Sequence, residues 1–156
     1  MNRAFVRESE LEEGSALPER PVSVHPNFVT PTGMHQIEAQ VRLLESEREM
    51  ARHADDKPAL ARVARDLRYW ANRRASARLI EPVTTTPNAV RFGTRVTMEA
   101  EDGARRSFRL VGEDEADPAQ GLLSWASPVA TALMGRAEGD TVSLPGQRAE
   151  IVRIEA

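Results

Sequence analysis

Two runs of residues spaced at alternating steps of three and four constrain this chain more than any other feature. Met34, Ile37, Val41, Leu44, Arg48 and Ala51 form the first; Leu60, Val63, Leu67, Trp70, Arg74 and Ala77 form the second. That spacing draws one stripe along an α-helix and is the apolar seam of a coiled coil, here with arginine interruptions. Between the runs lie Ala54-Asp55-Asp56-Lys57-Pro58. So short a polar break forces the chain to reverse, which predicts an antiparallel coiled-coil helical hairpin. Thr30 or Thr32 is placed to cap its start. Arms of about 21 to 23 residues would be roughly 32 to 35 Å long at 1.5 Å per residue. Charge supports the pairing. Residues 34–56 hold three Arg against six acids, whereas residues 57–80 hold seven basic residues against Asp66 alone, so an arm of −3 meets an arm of +6.

After Glu81-Pro82-Val83-Thr84-Thr85-Thr86-Pro87 the period changes from helical to two, and the domain boundary is set there. Val96, Met98 and Ala100 alternate with polar neighbours, Asp102-Gly103 is a hairpin signal, and Phe108 and Leu110 continue the alternation. Ser127-Pro128 followed by Val129, Leu133 and Gly135 reads as one short, capped helix. Residues 141–144 and 149–154, joined through Pro145-Gly146, read as two closing strands. The expected fold class is therefore α+β, a helical hairpin over 28–81 followed over 82–156 by a small antiparallel sheet with one short helix. Residues 1–27 carry three Arg and five Glu and end in Pro18, Pro21 and Pro26, which predicts a disordered acidic tail.

Composition removes several classes of function. The 156 residues include no Cys and three separated His, which excludes disulfides, thiol catalysis and cysteine zinc sites. No apolar run approaches the roughly 20 residues of a membrane span, and none near the N-terminus resembles a signal peptide. A cytoplasmic protein without a membrane partner is expected. A net charge of −3 argues against free duplex DNA as the main partner, while the +6 arm leaves room for nucleic-acid contact.

Three stretches resemble one known family. They are Phe28-Val29-Thr30-Pro31-Thr32-Gly33, Gly112-Glu113-Asp114-Glu115-Ala116-Asp117-Pro118, and Leu123-Ser124-Trp125-Ala126-Ser127-Pro128-Val129-Ala130 running on to Gly139-Asp140; Arg65-Asp66-Leu67-Arg68-Tyr69-Trp70 adds a fourth likeness. The chain resembles the GreA/GreB transcription elongation factors, on the GreB-like side, across residues 28–156. The resemblance implies a C-terminal domain with an FKBP-like fold that docks on the rim of the RNA polymerase secondary channel. It also implies a hairpin entering that channel, whose tip acids lend ligands to a Mg2+ of the polymerase while the polymerase hydrolyses its own backtracked RNA. On that footing the factor is not itself an enzyme and holds no cofactor of its own. Mg2+ is shared in trans with the polymerase active centre. A monomer is expected. FKBP-like folding alone does not imply isomerase activity, since aromatic residues in the second half number only Phe92, Phe108 and Trp125.

The resemblance assigns Asp55 and Asp56 as the catalytic and metal-facing pair. Asp114, Glu115, Ala116, Asp117, Pro118, Ser127 and Pro128 become the polymerase-binding residues. Arg62, Arg65 and Arg68 become RNA contacts, the nascent RNA 3′ end being the ligand. Two departures bear on cleavage. The family's second tip acid, three positions after the Asp, falls on Pro58 or Ala59. Both arms are also short against the family's by roughly nine residues, or about 13 Å at 1.5 Å per residue. Plainer roles stand beside each assignment: Asp55 and Asp56 as helix caps, the arginines as a solvated, salt-bridged face, the acids as loop residues and Ser127 as a cap. Two functions follow, a factor that stimulates cleavage of backtracked RNA and a non-cleaving channel occupant that competes with or modulates other channel-binding factors.

Overall fold

A computed structural model describes residues 17–156, so most of the expected acidic tail, residues 1–16, lies outside the described residues. The chain forms two compact units, one containing residues 38–75 together with the preceding segment up to Ser23, the other containing residues 24–37 and 76–156. This division differs from a single cut after residue 81. The reason is a two-stranded parallel pair, β1 (Phe28–Val29) with β2 (Arg78–Leu79), which fastens the chain before the first helix to the chain after the second. Asn27 strengthens the joint, its carbonyl accepting from Arg78 N–H and its side-chain amide donating to Ser76 Oγ at 3.3 Å.

The first unit is built on two long helices, α1 (Pro31–His53) and α2 (Lys57–Ser76), of which α1 begins in the second unit. Their buried residues in this unit include Val41, Leu44, Ala51 and Val63, all on the expected stripes. Leu60, Leu67 and Trp70 are half-buried. One position departs: Arg74 is exposed and its neighbour Arg73 is 2% exposed. Apolar spacing carries no signal for which of two adjacent arginines is covered, because the long aliphatic stem of either can lie along a surface. Residues 17–23 run without regular structure, and Glu19 and Arg20 meet α2.

The second unit holds a five-stranded sheet in the order β5-β4-β3-β7-β6, with β3 at Arg95–Ala100, β4 at Arg105–Val111, β5 at Leu122–Ser124, β6 at Thr141–Leu144 and β7 at Gln147–Glu155. β3 and β4 pair antiparallel about Gly103, whose φ of +82° only glycine adopts without strain. The sheet is not wholly antiparallel as expected. β5 lies parallel to β4, because the chain leaves β4, turns through a 3-10 helix at Pro118–Gln120 and comes back to run alongside in the same direction. That return is a long-range event with no local hairpin signal in the sequence. In β7 the buried residues are Ala149, Ile151 and Ile154, so the alternation slips by one. A β-bulge absorbs the slip: Thr97 pairs with Arg153 and Met98 with Ile151, leaving Val152 as the extra residue.

The core of this unit gathers Val96 and Met98 of β3, Leu110 of β4, Val142 of β6 and Ala149, Ile151 and Ile154 of β7, with Val90 from the preceding loop. A short helix, α3 (Pro128–Leu133), seals it with Ala130 and Leu133. Ser127 caps α3, its hydroxyl accepting from Ala130 N–H at 3.2 Å, and Pro128 takes the first helical position, where its missing N–H is no loss. The described part of the molecule is thus two long helices followed by a mixed sheet, an α+β fold. No described helix is long and apolar enough to cross a membrane.

Candidate functional site

The turn between α1 and α2 is the first place where the expected site residues stand. Asp55 N–H donates to Arg52 carbonyl at 3.1 Å and Asp56 N–H to Ala51 carbonyl at 2.9 Å, which is the paired bonding of a Schellman motif. Asp55 occupies its left-handed position with φ of +50°, usually taken by glycine or asparagine. Asp56 then starts α2. Its Oδ1 accepts Ala59 N–H at 3.0 Å and its carbonyl accepts Leu60 N–H, so it is the N-cap of that helix. Both aspartates are exposed, as is Pro58. The pair therefore sits together at the turn that joins the two helices, with Asp56 also holding a helix end. Among the described residues no group of three or more His, Cys, Asp or Glu side chains could hold a metal ion. Two exposed carboxylates suit a divalent cation as oxygen ligands but cannot complete its shell of six or more.

The three arginines assigned to RNA lie on α2, and each has an acidic neighbour. Arg62 is 3.5 Å from Glu47 across the two helices, and Arg65 is 2.9 Å from Asp66. Arg68 makes the most specific contact. Its Nε donates to both carboxylate oxygens of Glu19, at 3.0 and 3.1 Å, and its Nη2 donates to one of them. That hydrogen bond holds the Glu19 carboxyl below its ordinary value and Arg68 above its own.

In the second unit, the residues of the Gly112–Pro118 stretch turn out to tie β1 and the start of α1 to the sheet. Thr30 caps α1: its hydroxyl accepts Gly33 N–H at 2.9 Å and donates to Glu115 Oε2 at 2.5 Å. Glu115 is 9% exposed, and its negative charge faces the positive end of α1. A Cβ at Gly33 would stand 2.7 Å from Glu115 Oε2, so a larger residue there would push the carboxylate aside. Gly112 answers a tighter constraint, a Cβ at that position falling 2.5 Å from the Phe28 carbonyl oxygen. Glu113 is 3.5 Å from His25, whose ring meets the edge of Trp125, and Phe28 packs against both Trp125 and Phe92.

Of the residues assigned to polymerase binding, Asp117, Pro118 and Pro128 are exposed, Asp114, Ala116 and Ser127 are half-buried, and Glu115 is turned inward. Asp117 caps the 3-10 helix through Ala119 N–H. The structure adds Thr30, His25 and Trp125 as partners of this stretch. The sequence offered Thr30 or Thr32 as the cap and the structure uses Thr30, whose bond to Glu115, distant in sequence, was not legible.

These stretches also carry the similarity to known proteins. Residues 85–156 match the family described as transcription elongation factor, GreA/GreB, C-term. The transcription elongation factor GreA of Desulfovibrio desulfuricans is 38% identical over 86 residues, covering 54% of this chain and 53% of the relative. GreB of Yersinia pestis is 38% identical over 96 residues, covering 62% of this chain and 56% of the relative. The matches span about half the length of these curated relatives. Among solved structures, the elongation factor GreA/GreB from Nitrosomonas europaea is similar at 21% identity and a TM-score of 0.41, with 83% of this chain and 99% of that chain covered. Residues 85–156, a little under half of the chain, are thus similar to the C-terminal part of the GreA/GreB transcription elongation factors.

Proposed function

We propose that this protein regulates transcription elongation by binding RNA polymerase at its secondary channel, the second unit docking at the rim and the α1–α2 turn entering. The observation that carries this reading is the family match over residues 85–156, which takes in the sheet, α3 and the Gly112–Pro118 stretch. Exposed Asp117, Pro118 and Pro128 are the residues through which that unit would meet the polymerase. Arg62, Arg65 and Arg68 would face the nascent RNA 3′ end. The protein acts as a monomer, takes no duplex DNA as its main partner and is not itself the nuclease.

Two versions of this role differ in what the turn does. In the first, Asp55 and Asp56 lend oxygen ligands to the polymerase's Mg2+, which when bound supplies Lewis-acid activation of a water. In the second, the turn only occupies the channel, competing with or modulating other channel-binding factors. A specific observation favours occupancy: Asp56 is engaged as the α2 cap, and Pro58 stands where the family's second tip acid would be. A transcript-release assay on a stalled, backtracked elongation complex separates them. Occupancy predicts no shortening of the RNA beyond the polymerase's own rate. Shortening that disappears in an Asp55→Ala, Asp56→Ala double variant establishes the cleaving version.

A further inference from the structure

Within the segment Pro18-Glu19-Arg20-Pro21, Glu19 and Arg20 meet α2 in a charge-matched arrangement. Glu19 takes Arg68 through both carboxylate oxygens, while Arg20 Nη1 stands 3.7 Å from Asp66. The Arg20 guanidinium also lies over the Tyr69 ring at 4.0 Å and near the Trp70 ring at 5.6 Å, within the range of cation–π attraction. Acid meets base and base meets acid at neighbouring places, with an aromatic floor under the second contact. The two flanking prolines restrict φ, which lowers the conformational entropy lost when the segment docks.

Both ends of the stronger contact are open to water, the Arg68 and Glu19 side chains being 57% and 61% exposed. An exposed ion pair of this kind is weak and screened by salt. It is therefore displaceable, and the most effective displacer is a ligand with a dense row of negative charge.

We propose that residues 18–21 form an intramolecular strap that masks the basic face of α2, and that single-stranded RNA must displace Glu19 to reach Arg68. This rests on the assignment of Arg62, Arg65 and Arg68 to RNA. It adds a regulatory element to that surface: the acidic segment N-terminal to α1 competes with RNA for the same guanidinium. Glu19 presents an anionic oxygen pair to a guanidinium fork, the geometry that a phosphate also offers. RNA binding and strap docking are then mutually exclusive at Arg68, and any partner that holds the strap away raises RNA affinity.

The test uses the full chain and a fluorescein-labelled single-stranded oligoribonucleotide, followed by anisotropy across a salt series. Glu19→Gln is expected to tighten binding about threefold to fivefold, in keeping with the strength of an exposed pair. The slope of log K against log salt should steepen by about 0.7, one more arginine being available to a phosphate. Glu45→Gln, which removes the same charge from an exposed position of α1, is expected to change neither quantity appreciably. In an Arg68→Gln background, Glu19→Gln should have no further effect. The Arg68 Nε–H signal in nitrogen-edited NMR gives a direct readout; it should shift on RNA addition toward its position in Glu19→Gln. The proposal is overturned if Arg68→Gln weakens RNA binding while Glu19→Gln leaves it unchanged. If Arg68→Gln itself has no effect, the RNA assignment of α2 fails and the strap proposal falls with it.

Discussion

Thr30 shows how much a single hydroxyl can organise. It caps α1 through Gly33 N–H and donates to Glu115, joining residues far apart in the chain. Thr30→Ala removes the cap and leaves a buried carboxylate short of a donor, so a loss of about 2–3 kcal/mol is expected by denaturant unfolding. Thr30→Ser, which keeps the hydroxyl, should lie near the parent protein. At the α1–α2 turn, Asp55→Gly should stabilise the fold by about 0.5–1 kcal/mol because φ there is positive. Asp56→Ala should cost about 1 kcal/mol and Asp56→Asn little, since asparagine is an equally good cap. The same asparagine variant separates roles that the alanine variant confounds, because it removes the charge and keeps the helix end. Much at this scale was legible in the sequence: Thr30 or Thr32 as the cap of α1, Ser127 as the cap of α3 and Gly103 as a turn. The inward turn of Glu115 was not, because a Glu in a polar loop reads as exposed until its distant donor is known.

Among the elements, the apolar stripes on α1 and α2 predicted two helices joined by a tight turn, and Val41, Leu44, Ala51 and Val63 are buried as that spacing requires. The sheet was less legible. β3 and β4 are joined locally and their turn residues announce them, whereas the parallel β4–β5 pair depends on a return through residues 112–121 that no local pattern encodes. The β7 bulge left a trace, a three-residue step between Ile151 and Ile154 in a period-two strand. The contact of residues 17–23 with α2 has a predictable dependence on pH. Arg68, and after it Arg65, holds the Glu19 carboxyl below its ordinary value. A carboxylate with a depressed folded value stabilises the contact fully above the usual carboxylate range and loses that contribution as pH falls through the depressed value. The Arg68 Nε–H signal should therefore be constant from neutral pH downward until the acid side of the carboxylate range, and only then move toward its position in Glu19→Gln. Movement near neutral pH would mean that a different group controls the contact.

Taken whole, the molecule combines a unit with a GreA/GreB C-terminal sequence and a unit of two long helices whose turn carries adjacent aspartates. Its function, as proposed, depends on the second unit finding the polymerase, and cleavage and occupancy both presuppose that step. The docking surface should depend on exposed charge rather than on fold: Asp117→Asn keeps the acceptor for Ala119 N–H and removes the charge, so it should weaken association with an unchanged melting temperature. The most direct measurement is the binding of the purified chain to immobilised core RNA polymerase by interferometry, with the Asp117→Asn protein alongside. The account predicts saturable binding at one molecule per polymerase, weakened in the variant. A folded chain that shows no saturable binding to the core enzyme would contradict it.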